Sequence, residues 1–349
     1  MKYAHVCLES WGYVLPERIL TSLDIEKKLK PLMEKLQLPS GFFEIFTGIK
    51  ERRLWEDGTL PSQMSTQAAQ NALQKEKIKN SEIECLLHAS VSRDYLEPAT
   101  AATVHDHLKL NPSCIYFDIS NACLGFLNGM FVLSNMIELG QIKRGMLVGT
   151  ESSQKMIELT LKKLLESPNL SLQEAALYLP SLTLGSGSAA VILAHDSVSK
   201  TKHKLLGGIS RTASQFNTLC RAFPDMGLAN PLPDLSMKTQ ANELMQEAAK
   251  LAKTTWGEFK KEIKWENPDI HHIFSHQVGR TPREEMIKAL GVPSDKDYFT
   301  FDHLGNMGSC ALPITFAMGV EKREVKKDDH IVLMGFGSGI NCLFFGVTW

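Results

Sequence analysis

Several things are missing from this chain of 349 residues. It has no CxxC pair and no cysteine–histidine cluster at metal-ligand spacing. Its seven cysteines (7, 85, 114, 123, 220, 310 and 342) are scattered and odd in number. That pattern fits reduced cytosolic thiols better than a disulfide framework, and it gives no metal site. There is no excess of positive charge: 38 basic residues face 39 acidic ones, for a net charge of -1. A nucleic-acid footprint is therefore not expected. There is no long hydrophobic run either. The longest weakly polar stretch, 182–194, contains Gly and Ser and is too short to span a bilayer. The start, Met1-Lys2-Tyr3-Ala4-His5, lacks the apolar core of a signal peptide. The expectation is a soluble, cytoplasmic protein with no integral membrane segment.

What is present is ordinary enzyme composition, 43% apolar and 22% charged, at a length that suggests two domains or one α/β body in two halves. Laid side by side, the halves repeat an order of elements. The helical stretch Ser65 to Lys75 leads into the strand Cys85-Leu86-Leu87-His88-Ala89-Ser90. The helical stretch Thr239 to Lys261 leads into His272-Ile273-Phe274-Ser275-His276. Phe117-Asp118-Ile119 precedes Cys123 and a helix beginning near Ala122; Phe301-Asp302-His303 precedes Asn306 and a helix through Phe316. Each half closes on a Gly-Ser-Gly turn, at 185–187 and 337–339, flanked by runs that read as hairpin strands. Strand–helix alternation repeated twice argues for two α/β halves with sheets sandwiched among helices. The division expected is 1–200 and 201–349. The first half is longer by roughly thirty residues, which form a helical insertion near 152–181. Next to a reactive residue, such an insertion could wall an apolar channel as readily as decorate the surface.

Cys123 stands where a strand gives way to a helix. Free N–H groups and the positive end of a helix dipole favour thiolate, the nucleophilic form. Taken alone, a cysteine there is more often a small packing residue. His276 ends a strand, where α/β proteins place their sites, and Asn306 lies in a glycine-bracketed turn. Taken alone, the first is more often a satisfied histidine and the second a turn or cap residue. The duplication puts Cys123 and Asn306 at equivalent junctions. Together the three make coherent chemistry. A thiolate attacks a thioester, while imidazole and amide donate to a developing enolate or oxyanion. The N–H of Cys123 and one from Gly337-Ser338-Gly339 would hold the other oxyanion. Glu97, in the polar loop Ser90 to Thr100, reads as a solvated carboxylate unless it reaches an apolar thiol site. There it could serve as a general base.

In this order, DISNACLGF (118–126), SHQVGRTP (275–282), GNMGSCALP (305–313) and GFGSGIN (335–341) resemble the thiolase superfamily, in its beta-ketoacyl synthase III branch. The resemblance covers essentially the whole chain and implies a five-layered α-β-α-β-α sandwich of two duplicated halves. Within the branch, SVSRDYLEPATA (90–101), GIKERRLW (48–55) and NACLGFLNGM (121–130) look most like the OleA-type thiolases, which join two fatty acyl-CoA molecules head to head. By that resemblance Cys123 carries the first acyl chain. Glu97, supplied across a homodimer, takes the alpha proton of the second, and His276 and Asn306 stabilise the enolate. The product would be a 2-alkyl-3-oxo acid. The substrates would be coenzyme A thioesters, with no permanently bound cofactor. Synthase III enzymes proper decarboxylate malonyl-ACP and need no such base, so Glu97 separates this reading from its alternative, in which acyl- or malonyl-ACP takes part. One departure concerns the carrier. Where those enzymes hold the CoA adenine with a tryptophan and an arginine, this chain has Phe42 and Phe46. The order Cys, His, Asn also fits a papain-like hydrolase, but the cysteine is mid-chain and its local context is absent. A catalytically dead scaffold would have no chemical reason to keep all three.

Overall fold

The computed structural model describes residues 1–167, 169–222 and 237–349. The first part runs β1 (Val6–Val14), β2 (Arg18–Thr21), α1 (Ser22–Lys28), α2 (Lys30–Lys35), α3 (Phe42–Thr47), β3 (Glu51–Leu54), α4 (Pro61–Lys75), β4 (Cys85–Ala89), α5 (Thr100–His107), β5 (Ile115–Ile119), α6 (Gly125–Glu138), β6 (Arg144–Glu151), α7 (Gln154–Leu165), α8 (Leu172–Ala176) and β7 (Gly187–His195). The second runs β8 (His203–Thr212), β9 (Cys220–Arg221), β10 (Lys238–Thr239), α9 (Ala241–Ile263), β11 (His272–Ser275), α10 (Arg280–Leu290), β12 (Asp297–Tyr298), α11 (Phe301–Leu304), α12 (Ala311–Lys322), β13 (His330–Gly337) and β14 (Asn341–Thr348).

Ten strands pair in the order β12-β11-β13-β14-β8-β1-β7-β6-β4-β5. Read outward from the centre, each half repeats the other. β4 is parallel to β5 and β6, as β11 is to β12 and β13. β6·β7 and β7·β1 are antiparallel, as are β13·β14 and β14·β8. At the centre of the sheet β1 of one half pairs antiparallel with β8 of the other, Cys7 and Leu8 facing Lys204 and His203.

Two helices lie between the two five-stranded halves of this sheet. α6 buries Gly125, Phe126, Leu127, Gly129, Met130, Leu133, Ser134 and Ile137. Its Gly129 seats Leu147 of β6, while Leu124 and Leu127 fill the space over Gly335 of β13. α12 is buried from Ala311 to Gly319, with Ile314 over Gly187 of β7 and Gly319 under Phe274 of β11. The outer faces are covered by α4, which buries Ser65, Ala68, Ala69, Ala72 and Leu73, and by α9, which buries Ala252, Thr255, Trp256 and Phe259. Both sets follow the 3.6-residue period. The result is five layers, α-β-α-β-α, as expected. No helix among the described residues is long and apolar enough to cross a membrane.

Three further features bear on the site. β5 is an edge strand that leaves Ile115, Tyr116 and Phe117 exposed, an apolar edge of the kind that pairs with another chain. The insertion α7–α8 packs with α1–α3 into an apolar cluster of its own, including Ile25, Leu29, Phe43, Ile157, Leu161 and Leu182. Only the second half closes in the expected hairpin. β6 and β7 are antiparallel neighbours, but residues 152–186 and their helices separate them, so Gly185-Ser186-Gly187 leads into β7 and turns no hairpin.

Candidate active site

β5 ends at Ile119, and α6 begins at Gly125, three residues later than expected. The intervening turn is tight. Leu124 N–H donates to Asn121 O at 3.0 Å and Gly125 N–H to Ala122 O at 3.1 Å. Ala122 has φ 45°, a left-handed conformation that is strained for a residue with a Cβ and tends to be kept where it positions a functional group. The next residue is Cys123, which keeps partial access to the surface.

The expectation that the helix start would favour thiolate is not met. Burial first, then the Glu151 carboxylate and the Cys220 thiol, push Cys123 up to about 12, against a smaller opposing contribution from its own backbone. The amides that would have stabilised a thiolate are partly consumed by the turn itself. The resting sulfur is a thiol.

His276 follows β11, its N–H donating to Met334 O of β13 at 2.9 Å. Burial lowers its imidazole to about 4, so the ring is neutral at pH 7. Its Nδ1 is buried without a hydrogen-bond partner among the described residues. β13 lies between β11 and β14 and runs past His276 to Gly337. A Cβ on Gly337 would sit 2.9 Å from Leu124 Cβ and 3.3 Å from Leu124 N. The Gly337-Ser338-Gly339 turn therefore abuts the backbone directly after Cys123. Asn341 reinforces the contact by donating to Asn121 at 3.3 Å.

Asn306 is fixed at both backbone groups. Its N–H donates to Thr183 O at 2.9 Å, and its carbonyl accepts from Gly185 N–H at 2.8 Å. Its side-chain Oδ1 accepts from Gly308 N–H at 3.0 Å. That bond settles the amide orientation and leaves Nδ2 as the group with hydrogens to give.

Glu97 stands apart. It lies on the exposed loop between β4 and α5, beside the exposed Tyr95 and Leu96, and makes no hydrogen bond or ion pair among the described residues. The same loop is anchored to the edge strand, since Asp118 of β5 accepts from Thr100 and Ala101 N–H at 2.8 and 2.9 Å.

One residue escaped the sequence reading. Glu151, 6% exposed, ends β6 among these segments and accepts bonds from both the Glu97 loop and the Asn306 loop. The available signal was an acidic side chain closing an otherwise apolar strand, Met146-Leu147-Val148-Gly149-Thr150. Phe42 and Phe46, at the expected carrier position, stack at 5.6 Å with Phe46 61% exposed. A group with metal-ligand composition, His5, His195 and Asp196, belongs to the start of β1 and the end of β7, and Lys204 already holds Asp196 at 3.0 Å.

The family profile of 3-oxoacyl-[acyl-carrier-protein] synthase III matches residues 117–167, and its C-terminal profile matches 261–349. An acyl-CoA:acyl-CoA alkyltransferase of Shewanella oneidensis is 36% identical, and one of Xanthomonas campestris 33%, each over the whole of both chains. A beta-ketoacyl-[acyl-carrier-protein] synthase III of Clostridium tetani is 26% identical over both full lengths. Cerulenin-bound OleA of Xanthomonas campestris superposes with a TM-score of 0.93 at 33% identity, covering 100% of this chain and 98% of that one. Other solved forms of that OleA replace a cysteine, a histidine and a glutamate. The replaced glutamate stands 26 positions before the replaced cysteine, the same separation as Glu97 and Cys123.

Proposed function

The chain belongs to the acyl-CoA:acyl-CoA alkyltransferases, condensing acyltransferases of the beta-ketoacyl synthase III branch, and from that premise we propose how it joins two fatty acyl-CoA molecules head to head. Cys123 Sγ attacks the first thioester carbonyl while its proton passes to the neutral His276 imidazole. The tetrahedral oxyanion lies against the N–H of Cys123 and the 337–339 turn. Collapse expels the CoA thiolate, which leaves with the proton from His276. The acyl chain then sits on Cys123, with the α7–α8 insertion supplying apolar wall. A second acyl-CoA loses its alpha proton to Glu97 of the partner subunit. Its enolate oxygen accepts hydrogen bonds from His276 and from Asn306 Nδ2. The carbanion attacks the acyl-Cys123 carbonyl and expels the thiolate, which takes up the proton held by Glu97; this gives a 2-alkyl-3-oxoacyl-CoA, whose hydrolysis yields the 2-alkyl-3-oxo acid and free coenzyme A.

The observation carrying this reading is the Glu97–Cys123 spacing shared with the substituted pair of OleA, in a chain alike over its whole length. Malonyl-ACP decarboxylation leaves no task for Glu97. The apolar edge of β5 and the exposed loop beside it support a homodimer in which Glu97 acts on the other subunit. We place the boundary between halves near residue 200, with Cys123 on one side and His276 and Asn306 on the other. The test is product analysis after incubation with one pure long-chain acyl-CoA. A 2-alkyl-3-oxo product without malonyl-ACP is expected. Condensation that strictly requires malonyl-ACP would overturn the reading.

A further inference from the structure

Glu151 is a buried carboxylate with no assigned task. Its Oε1 accepts from Val91 N–H at 3.0 Å, from Ser309 N–H at 3.3 Å and from Ser309 Oγ at 2.6 Å. Its Oε2 accepts from Ser92 N–H at 3.2 Å and from Ser92 Oγ at 3.0 Å. Val91 and Ser92 open the loop that carries Glu97. Ser309 belongs to the single turn that follows Asn306. Between them, Gly308 passes so close that a Cβ there would lie 3.1 Å from the Glu151 carboxyl carbon. The main chain is engaged as well, because Glu151 O accepts from Trp55 Nε1 at 3.0 Å. No lysine, arginine or histidine pairs with the carboxylate among the described residues.

We propose that Glu151 is a positioning residue, a single carboxylate that holds the Glu97 loop and the Asn306 loop in register with the strand beside Cys123. This rests on the condensation reading above. A buried carboxylate without a cation is costly, so a plain structural tie would be cheaper with a neutral group. A neutral group cannot do this task. Both oxygens face N–H donors that have nothing else to offer, and an amide would turn one oxygen into a donor aimed at a donor. With its oxygen kept on the crowded side, a glutamine would keep the bond from Val91 N–H but set its NH2 against Ser92 N–H, loosening the Glu97 loop at Ser92. The charge also bears on the nucleophile, since Glu151 helps hold the Cys123 sulfur as a thiol. The groups facing the carboxylate are the Cys123 and Cys310 thiols and the two serine hydroxyls.

The experiment compares wild type with Glu151→Gln in three readouts. These are acyl-Cys123 formation by mass spectrometry, condensation product, and the pH profile of Cys123 alkylation by iodoacetamide. In the variant, condensation should fall about ten- to a hundredfold, the range of a modest misplacement of catalytic groups. Acylation should stay within about threefold of wild type by the same reasoning. The alkylation profile should move to lower pH, because a negative charge beside the sulfur is gone. A merely structural role would lower both chemical steps in proportion to lost folded protein and leave the profile in place. That result, or unchanged condensation in a folded Glu151→Gln, would overturn the proposal. If Glu151→Gln does not fold, Ser92→Ala removes one tie to the Glu97 loop alone. It should depress condensation while sparing acylation, and equal loss of both steps would overturn the proposal. Absence of acyl-Cys123 in the wild type would instead count against the condensation reading itself.

Discussion

If Glu97 acts across a dimer, two inactive proteins should repair each other. Glu97→Ala removes an exposed side chain that makes no hydrogen bond or ion pair among the described residues. Its effect on stability should stay within about 0.5 kcal/mol. Loss of a general base costs about 10²- to 10⁴-fold in the proton-transfer step, so condensation should fall by that order while Cys123 still acylates. Cys123→Ala abolishes acylation outright. Coexpressed with distinguishable tags in equal amounts, the two variants pair at random, and about half of the dimers are hybrids. In a hybrid, the Glu97→Ala subunit keeps its cysteine and receives the glutamate of the Cys123→Ala subunit. One of its two sites is then whole, so about a quarter of wild-type condensation should return. Purified hybrids should show about half. A glutamate acting within its own chain leaves every hybrid site broken. Purified hybrids with no more activity than the two parents would refute action in trans. Full condensation by Glu97→Ala alone would remove the residue from the mechanism.

Three other outcomes follow from the geometry. Because burial and Glu151 push Cys123 up to about 12, its alkylation by iodoacetamide should be slow at pH 7 and still rising above pH 9. A plateau by pH 7 would show a preformed thiolate. His88 and His276 are both buried and lowered to about 4 from 6.5, so the unfolded chain binds more protons between those values. Stability should be complete above about pH 6.5 and decline toward pH 4, by at most about 3 kcal/mol per ring, with the raised carboxyls of Glu151 and Asp297 working the other way. A urea midpoint that does not change between pH 7 and 5 would contradict this. Gly337→Ala forces a Cβ to within 2.9 Å of Leu124 Cβ and 2.8 Å of Asn341 Oδ1. It should cost about 1–3 kcal/mol and slow acylation about tenfold or more, readable by denaturation and by intact-mass kinetics. Wild-type acylation in that variant would mean the turn has no hold on the nucleophile.

The parts of this site visible in the sequence were those written in local chemistry. Cys123, His276 and Asn306 each sit where a strand or turn meets a helix, and the doubled order of elements suggested which junctions correspond. Glu151 was not visible, because its meaning is entirely long-range. Its donors lie 60 residues before it and 158 after it, and nothing in Thr150-Glu151-Ser152 announces them. The protonation of Cys123 was misjudged for the same reason. A helix start is a local feature, while burial and a neighbouring carboxylate come from strands distant in the chain. The β6–β7 connection was misread as a hairpin because its glycines resemble those of the β13–β14 turn, whereas the intervening helices answer to the apolar cluster with α1–α3. The edge position of β5 was likewise beyond local patterning. Nothing in the run Ile115-Tyr116-Phe117 marks it as an edge, and only the sheet order shows one side of it open.

The backbone of Asn306 is clasped by Thr183 and Gly185, so the first half of the molecule holds a residue of the second. On the ribosome that clasp has a direction in time. The segment around Cys123 emerges well over a hundred residues before Asn306 does, and until then Thr183 and Gly185 have no partner to grip. A nascent chain therefore carries its cysteine without the loop that completes the site. Acyl capture is therefore expected only once nearly the whole protein has been made. Stalled chains ending before residue 300 should remain unacylated at Cys123 in the presence of acyl-CoA, and acyl-enzyme on such chains would show that the nucleophile works without its second half.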